Sequence, residues 1–190
     1  MHLLSVLVLL GAVLVQVKRT TALELIPPPV IIEEPWKISS LRYESTSSSN
    51  LVRATIINPN DYPAGPAPRL GYVTFTESTA NCTTLWPADS EYPDRNIYNC
   101  TLVEPNAWAS WTVELLTPES AVETVDLAFT LTQHVNALGG YWKIFTGMAH
   151  FGKGEMDRAC NEDGDCVWSL KAENTPALVN ATMTMCKGYC

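Results

Sequence analysis

The sequence predicts an all-β domain, an antiparallel β-barrel or β-sandwich stapled by disulfides. Three observations lead there. Apolar residues alternate with polar ones over many short runs. Turn-forming clusters break those runs at close intervals, and no convincing amphipathic helix intervenes. Six cysteines follow a short apolar leader, which points to an oxidising compartment.

The leader comes first. Leu3 to Val15 is a continuous apolar stretch, the length of a signal-peptide core and short of the ~20 residues that span a bilayer. Thr20-Thr21-Ala22 is a small-residue cleavage pattern, so residues 1–22 are expected to be removed. A retained signal anchor is the rival reading. Cleavage removes Lys18 and Arg19 and no acid, leaving 10 cations against 20 acids, a charge of −10. Residues 23–35 read as a Pro-rich arm, where Pro27-Pro28-Pro29 favours polyproline II and forbids a helix. The domain, residues 36–190, is expected to open at Trp36. A chain of that size buries about 70% of its unfolded surface, so the disulfides act as staples for loops and do not replace a core.

Within the domain the clearest strand is Val125 to Thr132, with Val125, Leu127, Phe129 and Leu131 on one face. Trp36 and Ile38; Val52, Ala54 and Ile56; Val73 and Phe75; and Trp111, Val113 and Leu115 follow the same rule. So do Trp142 and Ile144; Cys166, Trp168 and Leu170; and Val179, Ala181, Met183 and Met185. Turns are expected at Ser45 to Asn50, Asn58 to Asp61, Pro63 to Pro68, Glu104 to Asn106, Thr117 to Glu119, Gly139-Gly140 and Asp163-Gly164. About eight strands result.

Six cysteines allow fifteen connectivities. Cys82 and Cys100 flank a loop, Leu85 to Asn99, whose closure contributes about 3 kcal/mol in the chain-entropy model. Cys160 and Cys166 flank a tight hairpin with Gly164 at its left-handed position, which sets the two cysteines opposite each other about 4.5 Å apart. Cys186 and Cys190 remain as a third local pair. A crossed set, joining Cys160 or Cys166 to Cys190, is the alternative. Zinc fits poorly, because exported thiols are oxidised and no histidine is adjacent.

Few motifs carry chemistry. Asn161 to Asp165 suggests calcium, but an EF-hand loop centred on Gly164 would start at Ala159 and end at Leu170, neither of them a ligand. No nucleophile elbow, zinc-protease motif, P-loop or dinucleotide fingerprint occurs. His134 and His150 have no triad partner nearby in sequence. No cofactor and no metal site is therefore expected. The acidic balance disfavours nucleic acid. Trp86 and Trp108, beside prolines, are the candidate ligand contacts. Asn81, Asn99 and Asn180 head glycosylation sequons.

Trp36-Lys37-Ile38-Ser39, the spacing of Cys82 to Asn96-Ile97-Tyr98-Asn99-Cys100, and Cys160 and Cys166 followed by Val167-Trp168-Ser169-Leu170 together resemble the fungal secreted β-barrel family typified by the major Alternaria allergen. The resemblance covers most of residues 36–170. It implies a compact antiparallel barrel without cofactor-dependent catalysis, acting as an allergen, an elicitor of plant defence or a host-interacting effector. Family dimers joined by an N-terminal cysteine have no counterpart here, since no cysteine precedes Cys82.

The expected function is thus a secreted, non-enzymatic interaction protein whose partner is a host extracellular or cell-wall protein. The alternatives are a module binding a glycan or small ligand, and a hydrolase or protease inhibitor without a local signature. No membrane association is expected after signal cleavage. N-terminal sequencing of the exported chain is expected to begin at Leu23; a start at Met1 would overturn the leader assignment.

Overall fold

The computed structural model describes residues 33–67, 71–90, 95–106, 108–116, 124–136 and 140–190. The leader, the arm before Glu33, the Thr117 to Glu119 turn and part of the Leu85 to Asn99 loop lie outside the described residues. Among the described residues there are fourteen strands and no α-helix; one 3-10 turn spans Ala172–Asn174. In chain order the strands are β1 (Trp36–Ser45), β2 (Ser49–Asn58), β3 (Tyr62–Pro66), β4 (Tyr72–Phe75), β5 (Ser78–Pro87), β6 (Ile97–Asn99) and β7 (Thr101–Leu102). They continue with β8 (Ala109–Leu116), β9 (Val125–Val135), β10 (Tyr141–Phe151), β11 (Met156–Cys160), β12 (Cys166–Leu170), β13 (Ala177–Val179) and β14 (Ala181–Lys187).

Two antiparallel sheets pack face to face, so the sandwich is the form adopted and the barrel stays open. One sheet runs β11-β12-β1-β2-β5-β7, with β13 also pairing β1; the other runs β14-β10-β9-β8-β6. The chain passes from the first sheet to the second at Asn180, between β13 and β14. A small β3–β4 hairpin forms its own two-stranded sheet, and its Tyr62, Ala64 and Phe75 join the core.

The core follows the period-two stripes. Trp36, Ile38, Ala54 and Ile56 from one sheet meet Trp111, Val113, Leu115, Leu127, Phe129 and Leu131 from the other, all buried. Trp36 and Trp111 meet edge to face, with ring centroids 4.6 Å apart, a favoured aromatic geometry. On β10 the expected face is reversed. Lys143, Phe145 and Gly147 point inward, while Trp142 and Ile144 are only half-buried. Register explains this: Phe145 pairs with Leu131 and Gly147 with Phe129, and directly opposed residues share a face. Gly147 is required there, because a Cβ would lie 3.2 Å from the Trp36 ring and 2.8 Å from Val179.

The stripe on β14 also departs from expectation at its end. Met185 pairs with Ile144 and Met183 with Phe145, so Thr184 is an extra residue. That bulge resets the alternation, and Met185 is 54% exposed. A further correction concerns Pro63 to Pro66. These residues form β3 and not a turn, with a register shift between Pro63 and Gly65; proline is tolerated at such an irregularity and in a two-stranded ribbon.

The disulfides are the local set: Cys82–Cys100, Cys160–Cys166 and Cys186–Cys190. Cys160 and Cys166 are register partners with Cα atoms 4.1 Å apart. Gly164 has φ of 88°, and the Asn161 amide donates to the Asp165 carbonyl at 2.9 Å, as a three-residue bulged hairpin demands.

Phe129→Ala is expected to cost about 3–5 kcal/mol by cavity formation, and Thr130→Ala, on the opposite face, within about 0.5 kcal/mol. Urea unfolding of the oxidised chain measures both; equal losses would contradict the face assignment.

Candidate functional site

One end of the sandwich holds a cleft of about 610 Å³. Its walls come from the end of β2, the β4–β5 connection and the β7–β8 connection, and they include Asn58, Glu77, Thr79, Val103, Glu104 and Trp108. An Asx turn shapes the aromatic edge. The Asn106 side-chain oxygen accepts from the Trp108 amide at 3.0 Å, and its Nδ2 donates to the Thr76 hydroxyl at 3.4 Å. Asparagine suits this position because its side chain mimics a backbone turn. The Trp108 carbonyl then accepts from the His134 amide at 2.8 Å, which ties the loop to β9.

Behind the cleft, Trp111 Nε1 donates to the Ser78 hydroxyl at 3.0 Å and Gln133 Nε2 to the Thr76 carbonyl at 3.2 Å. Asn58 and Asn60 are buried and bonded to each other, the Asn60 amide donating to Asn58 Oδ1 at 3.2 Å. These bonds brace the floor, and Gln133 Oε1 alone of the groups named is buried without a partner among the described residues. At the rim, Trp108 is 42% exposed and Val103 is 53% exposed. The Glu77 and Glu104 carboxylates are exposed and have no partner among the described residues. No lysine, arginine or histidine is among the lining residues. An apolar ring beside free acceptors can hold a flat ligand that bears hydroxyl or amino donors.

Of the two tryptophans singled out from sequence, only Trp108 belongs here. Trp86 is 7% exposed and lies parallel to Tyr43, centroids 6.2 Å apart. It shares the inward face of β5 with Cys82 and Thr84, so proximity to Pro87 did not turn it outward. Glu77, Glu104 and Asn106 were not singled out; the Glu104-Pro105-Asn106 turn signal was the visible trace of this wall.

The histidines are not brought together. His150 Nδ1 contacts Asp126 Oδ1 as a cross-strand pair on the outer face of β9 and β10. His150 is 67% exposed, and among the described residues no serine, threonine or cysteine hydroxyl or thiol bonds its ring. His134 is exposed. The three sequon asparagines Asn81, Asn99 and Asn180 are all exposed. The Asn81 side-chain oxygen accepts from the Thr55 hydroxyl at 2.8 Å. No group of three potential metal ligands occurs among the described residues, and none of their helices could cross a membrane.

A second cluster is closed. Lys143 is 4% exposed on the inner face of β10. Its ammonium donates to the Tyr189 carbonyl and lies 3.8 Å from Cys186 Sγ. The C-terminal disulfide loop is docked on β3 by the Tyr189 amide, which donates to the Ala64 carbonyl at 2.9 Å. Gly188, with φ of 124°, lies so close to that carbonyl that a Cβ would sit 1.9 Å from it. Burial pushes the Lys143 pKa down, partly offset by Glu33. Tyr62, stacked on Phe145 at 4.5 Å, is pushed up to about 12 by burial and by the nearby Glu33 carboxylate.

The described residues define an all-β, disulfide-stapled sandwich with an aromatic-edged cleft at one end. In comparisons with protein-family models, curated proteins and solved structures, nothing matches this chain.

The two buried groups set the alkaline stability profile with opposite signs. Tyr62 holds its proton more tightly folded than unfolded, where its pKa is about 10. The stability it contributes is full below pH 10 and is lost as pH rises through about 12. For Lys143 the contribution is present above its ordinary value of 10.5 and is lost as pH falls through its lowered pKa. Tyr62→Phe is expected to remove the last-titrating tyrosine from an ultraviolet pH titration and to flatten the fall in stability between pH 10 and 12. An unchanged titration curve would contradict this placement.

Proposed function

We propose that this chain is a secreted, non-enzymatic binding protein and that its contact site is the Trp108 cleft, with a saccharide as ligand. One observation carries the reading: an exposed indole stands beside two unpaired carboxylates on a rigid rim. Sugar rings present apolar C–H faces and a fringe of hydroxyl donors, and those are the two chemistries that Trp108 with Val103 and Glu77 with Glu104 complement. A preorganised rim loses little entropy on binding. The three disulfides fit an oxidising extracellular compartment.

A second reading is an effector or elicitor that engages a host extracellular protein. Its support is the exposed Leu85 and Ile97, 60% and 68% accessible, which flank the loop closed by Cys82–Cys100. The resemblance to the fungal secreted family favours the same reading. A hydrolase has less support, since no serine, threonine or cysteine side chain bonds the His150–Asp126 pair among the described residues.

Calorimetric titration of the oxidised chain with neutral and amino-sugar oligosaccharides tests the first reading. Trp108→Ala is expected to weaken binding about tenfold, equivalent to about 1.4 kcal/mol, with stability unchanged. Trp86→Ala is expected instead to destabilise the fold by about 3–5 kcal/mol. Full saccharide affinity in Trp108→Ala, or no saccharide binding by the parent chain, would overturn the reading in favour of the protein partner.

A further inference from the structure

Sheets expose rows of unpaired backbone groups at their edges, and secreted β proteins must guard them against pairing with a second chain. Among the described residues the two sheets of the sandwich end in five strands: β11, β13, β7, β14 and β6. Four have evident guards. Strands β7, β6 and β13 are two, three and three residues long, too short to template a partner. Strand β11 carries Asp157 and Arg158, and charge on an edge opposes pairing.

Strand β14 is different. It is seven residues long, Ala181-Thr182-Met183-Thr184-Met185-Cys186-Lys187. It pairs with β10 on one side, and no strand pairs its other side among the described residues. It contains no proline, and its only charge is at Lys187. The bulge at Thr184 and Lys187 guard the C-terminal half. Nothing of that kind guards Ala181 to Met183.

The acceptor Asn180-Ala181-Thr182 lies on that unguarded half. Asn180 is exposed, sits at the corner where the chain changes sheets, and its side chain has no partner among the described residues. Thr182, whose hydroxyl completes the acceptor, is also exposed. The other two sequons are less suited. Each has a bridged cysteine at its middle position. Asn81 lies within a paired strand, with its amide oxygen held by Thr55.

We infer that Asn180 carries an N-linked oligosaccharide and that this glycan is the guard of the β14 edge. The inference rests on passage through the secretory pathway and not on the saccharide-binding reading of the cleft. The donor is a polyprenyl-pyrophosphate-linked oligosaccharide. Asn180 Nδ2 attacks the anomeric carbon, the N–C bond forms as the C–O bond to pyrophosphate breaks, the amide gives up one proton, and the lipid pyrophosphate leaves. The attached sugar then hydrates and sterically covers the first half of the edge. Without it, two copies can pair β14 to β14 about a two-fold axis, since an antiparallel edge pair is self-complementary.

The test uses the full chain secreted from a eukaryotic host. Enzymatic release of N-glycans in heavy-oxygen water, followed by peptide mass spectrometry, is expected to mark Asn180 as the occupied site in most molecules. The parent is expected to sediment as a monomer. Thr182→Ala keeps Asn180 but destroys the acceptor, and its average mass is expected to rise towards twofold with concentration. Thr182→Lys also destroys the acceptor but places a cation on the edge, and it is expected to remain monomeric. An unoccupied Asn180 would overturn the proposal. So would a Thr182→Ala chain that stays monomeric at every concentration, or a Thr182→Lys chain that associates as strongly as Thr182→Ala.

Discussion

The edge-to-face contact of Trp36 with Trp111 is the constraint from which the rest of the sandwich follows. Trp36 stands on β1 and Trp111 on β8, so one contact joins the two sheets. Both rings are fully buried. The Trp36 ring, together with Val179, leaves no room for a side chain at position 147 on β10, where only glycine lets the backbone come close. Gly147 shares the inward face of β10 with Phe145 and the buried Lys143. The indole nitrogen of Trp111 reaches Ser78 at the start of β5. The same contact thereby steadies the residues behind the cleft.

Burying Lys143 demands compensation, because a cation in an apolar interior is costly unless it is hydrogen-bonded or gives up its proton. The chain supplies the hydrogen bond. Its C-terminal disulfide loop turns the Tyr189 carbonyl onto the ammonium, and burial lowers the pKa. The loop can reach that place because Gly188 adopts a left-handed conformation against Ala64. The third disulfide is therefore part of the packing of the β3–β4 side, and not an appendage on the end of the chain.

Two regions at the same end of the sandwich thus differ in character, since Lys143 pairs with Gln133, which lies behind the cleft. One is closed by Tyr62, Lys143 and the Cys186–Cys190 loop, with its polar groups turned inward. The other opens between the β4–β5 and β7–β8 connections, where Trp111 Nε1 and Gln133 Nε2 are hydrogen-bonded behind the cleft and the rim carboxylates have no partner among the described residues. Rigidity behind and free acceptors in front is the combination a recognition site needs.

The sequence by itself determined the all-β class, the inward faces of β1, β2, β8 and β9, and the tight Cys160–Cys166 hairpin. Those depend on local alternation and on turn chemistry, which a few adjacent residues encode. Tertiary structure decided the face of β10. Tyr141 to Phe151 places aromatic or aliphatic residues on both faces, and only pairing with β9 chooses between them. It decided the exposure of Met185, since a bulge shows in the register and not in the composition. It separated Trp86 from Trp108: both stand near prolines, but one continues the inward alternation of β5 and the other caps an Asx turn at the mouth of a cleft. The cleft itself draws Asn58, Glu77 and Glu104 from three connections far apart along the chain. Such a site has no spacing for a sequence to display, because its geometry exists only once the two sheets have met.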